Sequence, residues 1–320
     1  MKTRPLRSCA VIVSVLLSLA SCLSQTSPAG TAGASASGGG TAQWRAEVDG
    51  WRAQRERELA SPDGWLTLVG LEWLKAGVNS FGAAPDNAIK IRAQAPLHFG
   101  LLTVSGTTVQ LLSPSGGFPA DFQLDGKPAR EGMLSADDAK PSTLTWHGLT
   151  MVVLPRGGRY ALRIKDADSP TRTGFKGLHW YAPDARFRVT ARWIPYSTAH
   201  IEKIPTIINT TLDMPAPGVA EFTLDGKPLR LEPVFEGGER DKLFFILRDQ
   251  TSRTTTYEAA RFLHTGLPSN GVGQPGTLTL DFNELYNPPC AYTPYATCPL
   301  PPEQNRLAVA IEAGEQRYSH

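Results

Sequence analysis

The sequence predicts a mostly β protein with minor helix. Its apolar residues come in short runs of period two, and 30 Gly and 26 Pro residues are spread among them. Only one stretch sustains a long helical repeat. Alternation with period two marks strands half-buried on one face, and Gly, Pro and Asp clusters mark the turns between them. With 41% hydrophobic and 19% charged residues, the chain can build a core, and a net charge of +2 with no basic cluster argues against a nucleic-acid partner.

The helix is expected over residues 43–60, where Trp44, Val48, Trp51 and Leu59 recur at helical spacing and Ser61-Pro62-Asp63-Gly64 stops it. Strands are expected at Trp65–Val69, Ala88–Ile91, Leu101–Val104, Thr108–Leu112, Leu144–Trp146, Thr150–Leu154 and Tyr160–Ile164. Several short strands at this spacing suggest a sandwich or barrel. The order Gly77–Gly82, Asn87-Ala88-Ile89 and Leu124–Lys127 resembles forkhead-associated domains over residues 65–166, which implies a β-sandwich. Phosphopeptide binding is not implied, because Ala83 stands where that family places its phosphate-binding Arg. A second β-rich half is expected from Arg186–Trp193, Ala220–Leu224, Lys242–Leu247 and Thr277–Phe282, with a helical turn at Tyr257–Leu263. Phe122–Pro128 is echoed by Phe222–Pro228, each a strand running into Asp-Gly, a common tight-hairpin signal.

The N-terminus sets the expected compartment. Lys2, Arg4 and Arg7 precede an apolar run too short to span a bilayer, which needs about 20 apolar residues. Leu19-Ala20-Ser21-Cys22 fits the bacterial lipobox, implying acylation (palmitate-type chains) of Cys22 and a membrane partner through that anchor. Leu23, rather than Asp, favours the outer membrane facing the periplasm. The expected divisions are a signal peptide at 1–21, the acylated Cys and a Ser/Gly/Ala linker at 22–42, a helix and sandwich-like half at 43–168, and a β-rich half at 169–320. An exported setting makes a Cys290–Cys298 disulfide the default, at about 2.5 kcal/mol by loop entropy. Free thiols or a metal pair are the alternatives, although two Cys with no nearby His form a poor zinc set.

Common catalytic signatures are missing. Gly271–Gly276 spells G-x-G-x-x-G, but it precedes a strand and contains Pro275. No cofactor and no metal are expected. The C-terminal third is the densest in polar groups that demand partners. Asp281, Asn283, Arg261 and Tyr257 are candidate catalytic residues, with Asp281 as acid or base and Arg261 as anion stabiliser. Asp249, Thr251, Tyr286, Asn287, Asn305 and His179 are candidate binding residues.

The segments Asp281–Cys290, Thr297–Pro302, Asn305-Arg306-Leu307 and Ala313-Gly314-Glu315 resemble the bacterial domain of unknown function 1684. So do Trp65–Trp73, Phe175-Lys176-Gly177 and Tyr257–Phe262, so that the resemblance covers roughly residues 44 to 318. It implies no activity. The expectation is therefore an envelope lipoprotein that binds a small-molecule or envelope ligand or supports the envelope. A hydrolase-like site around Asp281 and a purely structural C-terminal clasp are the alternatives.

Overall fold

A computed structural model describes residues 37–137 and 140–319. The signal peptide and Cys22 lie outside the described residues. So does most of the linker. Helix α1 runs from Ser37 to Leu59, beginning inside the stretch expected to be linker and ending near the Ser-Pro-Asp-Gly stop. Among the described residues, no helix is long and apolar enough to cross a membrane.

The chain is mostly β. In the first half come β1 (Leu68–Trp73), β2 (Gly77–Gly82), β3 (Ile89–Lys90), β4 (Gly100–Ser105), β5 (Thr108–Leu112) and β6 (Gln123–Leu124). They are followed by β7 (Lys127–Pro128), β8 (Gly132–Leu134), β9 (Thr143–Trp146), β10 (Leu149–Arg156) and β11 (Arg159–Asp166). They form a six-stranded sheet, β1-β11-β10-β9-β6-β7, and a five-stranded sheet, β3-β2-β4-β5-β8. Side chains from both sheets, including Phe81, Leu111, Met151, Val153 and Leu162, share one core. That arrangement is a sandwich rather than a barrel. Alternation explains it: Met151 and Val153 point inward from β10, whereas Thr150 and Val152 are less buried.

The second half contributes β12 (Arg188–Pro205), β13 (Thr211–Leu224), β14 (Lys227–Leu231), β15 (Leu243–Leu247), β16 (Arg261–Thr265) and β17 (Gly276–Asp281). Sheet β14-β13-β12-β17 lies with the hairpin β15-β16 around a core centred on Trp193, Phe245, Leu280 and Phe282. The helical turn expected at Tyr257–Leu263 is corrected here. Arg261 opens a strand, because Phe262 and Leu263 pair with Ile246 and Phe245 on the buried β15.

Both Asp-Gly echoes are tight hairpins. Leu124 pairs with Lys127 and Leu224 with Lys227. The turn residues Asp125, Gly126, Asp225 and Gly226 all have φ between 50° and 74°. Two consecutive positive φ values match the right-handed twist of the flanking strands, which is why Asp-Gly recurs.

The halves meet in a third apolar cluster. It joins Leu68 of the sandwich to Ile204, Met214, Phe244, Phe262 and Cys298. Helix α1 docks on the C-terminal loops. Trp44 Nε1 donates to Asp281 Oδ2 at 2.6 Å, Arg52 Nη2 to the Asn283 carbonyl at 3.3 Å, and Arg55 Nη2 to the Asn287 carbonyl at 3.0 Å. Glu56 Oε1 accepts from Leu178 N and from Trp180 Nε1.

Candidate functional site

Most of the polar residues singled out in the sequence are committed to bonds inside the fold. Asp281 Oδ1 accepts from the Asn283 amide at 3.1 Å and from Asn283 Nδ2 at 2.9 Å, while Oδ2 takes Trp44 Nε1 and faces Arg188 Nε at 3.5 Å. Asn283 closes the cluster by donating to the Asp184 carbonyl and accepting from the Asp184 amide. Asp281 caps the short 3-10 turn Phe282–Glu284, a frequent role for a short carboxylate. Arg261 and Asp249 are both fully buried and pair at 2.9 Å. Arg261 also donates to the carbonyls of Ile311 and Ala313. Asp249 Oδ1 accepts from the Thr251 amide, the Thr251 hydroxyl and the Ile311 amide. Tyr257 donates to the Cys290 carbonyl at 3.1 Å.

The four candidate catalytic residues therefore do not form one constellation. Arg261 has no solvent-facing surface with which to meet a substrate. Asp281 points at donors of the loop and helix, while Arg261 is turned to Asp249 and two carbonyls, so the structure does not bring the expected acid or base and the expected anion stabiliser together. Instead these groups are the partners that the loop backbone requires.

The candidate binding residues follow the same pattern. Asn287 gives its amide to Glu315 Oε2 and its Nδ2 to Glu315 Oε1 and the Gln316 carbonyl. Tyr292 also donates to Glu315, whose carboxyl burial pushes above its usual range. Tyr286 shares a 2.9 Å hydrogen bond with His264 Nδ1 and lies under the Arg55 guanidinium at 4.5 Å. Asn305 holds both ends of the Glu232 peptide: Oδ1 accepts from the Glu232 amide and Nδ2 donates to the Glu232 carbonyl. His179 is exposed, and its carbonyl accepts from the Gln316 amide.

The cysteines correct another expectation. Cys290 and Cys298 are free thiols, not a disulfide. The Cys290 amide donates to Cys298 Sγ at 3.2 Å. A thiol hydrogen bond from Cys298 lowers the Cys290 thiol, and the same bond raises Cys298. The expectation rested on compartment, whereas the loop itself holds the pair through hydrogen bonds to sulfur.

What the sequence did not reveal is a groove of about 340 Å³ where the two halves meet. Trp65, Arg156 and Arg163 come to it from the sandwich, and Phe262, Thr297 and Cys298 from the other side. Arg163 stands over the Trp65 ring at 5.4 Å, and Arg156 Nε donates to Thr297 Oγ1 at 3.4 Å. The floor is apolar because it belongs to the interface cluster. A groove of this size, mostly apolar with a few converging polar groups, has the character of a small-molecule site. The only clue in the sequence was alternation on β11, which alone does not reveal what faces the second half.

A second cleft, about 440 Å³, lies beside α1 and is lined by Trp44, Arg188, Lys242, His264, Asp281 and Glu284. Burial, then the nearby Asp281 charge, pushes the Glu284 carboxyl up to about 7.

Three comparisons place the chain among known proteins. No curated protein matches it. The solution NMR structure of an uncharacterized protein of Haloarcula marismortui is 32% identical, covering 46% of this chain and 80% of that one, with a TM-score of 0.40. The family model described as protein of unknown function (DUF1684) matches residues 173–316, a narrower span than the resemblance read along the sequence. The chain belongs to the DUF1684 family of proteins of unknown function.

Proposed function

We propose that this protein is an exported lipoprotein, tethered through Cys22 and facing the periplasm, that binds a small anionic ligand with an apolar body in the groove between its halves. The observation that carries this reading is the pairing of Arg156 and Arg163 with an apolar floor of Trp65 and Phe262 in one cleft. Guanidinium groups suit a carboxylate or phosphate because they present several donors in a planar fork. The aromatic and proline surface takes the apolar part of the ligand. The sequence after Cys22 is rich in Ser, Gly and Ala, a composition that suits a tether between a lipid anchor and a globular receptor.

The test has two arms. In calorimetric titration of the 320-residue chain with aryl and medium-chain carboxylates, at least one binds saturably, and Arg156→Gln with Arg163→Gln weakens it by about 10-fold or more, as loss of charged hydrogen bonds requires. Failure of every such anion, or equal binding by the double variant, contradicts the reading of the groove. Separately, Cys22→Ala is expected to release the protein from the membrane fraction, and retention there would contradict the anchor.

A further inference from the structure

A cluster outside the groove carries an inference independent of the ligand reading. His200 and Glu202 sit two residues apart on β12, so their side chains share one face of the strand. The pairing of β12 with β13 slips between Pro195 and His200, where residues 196–199 oppose only Pro217. This bulge brings His200 back into register with Ala216. Glu232 follows the last residue of β14, and Asn305 clamps its backbone on both sides.

His200 Nε2 and one oxygen each from Glu202 and Glu232 all lie within 4.8 Å of one another. Nε2 is 3.3 Å from Glu202 Oε2 and 2.9 Å from Glu232 Oε1. An imidazole Nε2 carries at most one N–H, and here it hydrogen-bonds to Glu202. Glu232 Oε1 is left without a hydrogen bond, although the residue is only 8% exposed. A proton on His200 therefore serves one carboxylate and leaves a single buried oxygen of the other, Glu232 Oε1, without a hydrogen bond. A cation at the centre serves both.

The spacing agrees. Ligand atoms about 2.0–2.1 Å from a tetrahedral zinc ion stand roughly 3.3 Å from one another. The surroundings agree as well. Gln304 Nε2 donates at 3.1 Å to Glu202 Oε1 and at 3.1 Å to Glu232 Oε2, the two oxygens turned away from His200. That amide holds both carboxylates so that their remaining oxygens converge on the imidazole, as a supporting shell does in metal sites. The His200 ring lies against Tyr196 at 4.6 Å, and its side chain is 44% exposed, so one side of the site opens to solvent.

We infer that His200, Glu202 and Glu232 form a binding site for a divalent transition-metal ion, with Gln304 as a positioning residue and a coordination position open toward solvent. One nitrogen and two carboxylate oxygens suit zinc or its neighbours in the first row, and disfavour magnesium, which prefers an all-oxygen octahedron.

Calorimetry with zinc chloride on the 320-residue chain tests this. One equivalent is expected to bind, His200→Ala to abolish that binding, and Gln304→Ala to weaken it by about 10- to 100-fold, the usual cost of losing a supporting group. His200 is exposed enough that its variant is expected to melt at the metal-free wild-type temperature, which separates loss of the site from loss of the fold. Cys290→Ser is expected to bind zinc unchanged, since the thiols lie elsewhere. The inference is overturned if zinc does not bind one to one, if His200→Ala binds as the wild type does, if Cys290→Ser loses the binding, or if magnesium binds equally well.

Discussion

Arg261 shows how one residue organises a loop. Its guanidinium joins Asp249 to the carbonyls of Ile311 and Ala313, and Asp249 in turn holds Thr251 and the Ile311 amide. Removing one partner of a buried pair leaves the other charge uncompensated. Arg261→Met is thus expected to cost about 3–5 kcal/mol in urea denaturation. Adding Asp249→Asn should recover part of that loss, because the two residues are coupled. Equal stability of Arg261→Met and wild type would mean the network holds nothing. Glu284 makes a prediction of a different kind. Its folded carboxyl keeps its proton up to about 7, whereas an unfolded Glu titrates near about 4.3. Folding therefore takes up a proton between those values. The Glu284 contribution is most favourable below the lower value, and stability falls as pH rises toward 7. Because Glu284 is partly exposed, the effect is about 1–2 kcal/mol. Melting from pH 4.5 to 7.5 checks it: Glu284→Gln should flatten this part of the profile and be the more stable chain at pH 7.5. These residues also show what the sequence can reveal. A cluster of Asp, Asn, Arg and Tyr among apolar residues signals that partners are needed, but not whether the partner is a ligand or the chain's own backbone. For Asp281, Asn287 and Asn305 it is the backbone together with neighbouring side chains.

At the scale of elements, the short strands and Asp-Gly hairpins were legible because their signals are local. Two consecutive residues that tolerate positive φ are enough to mark a tight turn. The long strands were not. Pro195 and Pro205 on β12 and Pro215 and Pro217 on β13 read as breakers, yet they lie within strands of 18 and 14 residues. Proline is compatible with a strand wherever its missing N–H falls off the ladder or at a bulge, and the Pro195/His200 slip is such a place. Helix α1 was legible as a helix but not in its docking. Its register sets Trp44, Arg52 and Arg55 against loops more than 200 residues away, and periodicity carries no information about that distance. Trp44→Phe keeps an aromatic ring and removes the donor to Asp281 together with the smaller ring of the indole. A hydrogen bond to a charged group is worth about 1.5–3 kcal/mol, so exchange protection along residues 44–59 should fall by that amount. Unchanged protection there would show that apolar packing alone anchors the helix.

Across the whole molecule, the sandwich, the second β half and the helix are joined by interfaces rather than by linkers. Leu68 and Trp65 enter the cluster that also holds Phe262 and Cys298. Both proposed surfaces depend on this assembly. The groove draws residues from positions as far apart as 65 and 299, and the metal cluster draws on residues 200, 202, 232 and 304. Neither has a contiguous motif, which is why the chain could be read as β-rich and placed in its family while its sites stayed hidden. Family membership adds the boundary: the matched span, residues 173–316, contains the metal cluster but only the C-terminal wall of the groove.

The decisive question is whether the junction of the halves is a ligand site. The most direct measurement is a crystal structure of the chain grown with the tightest-binding carboxylate of the panel. The ligand is expected in the cleft between Trp65 and Phe262, with its carboxylate within hydrogen-bond distance of Arg156 or Arg163. A ligand bound elsewhere, with this cleft closed by direct packing of the two halves, would contradict it.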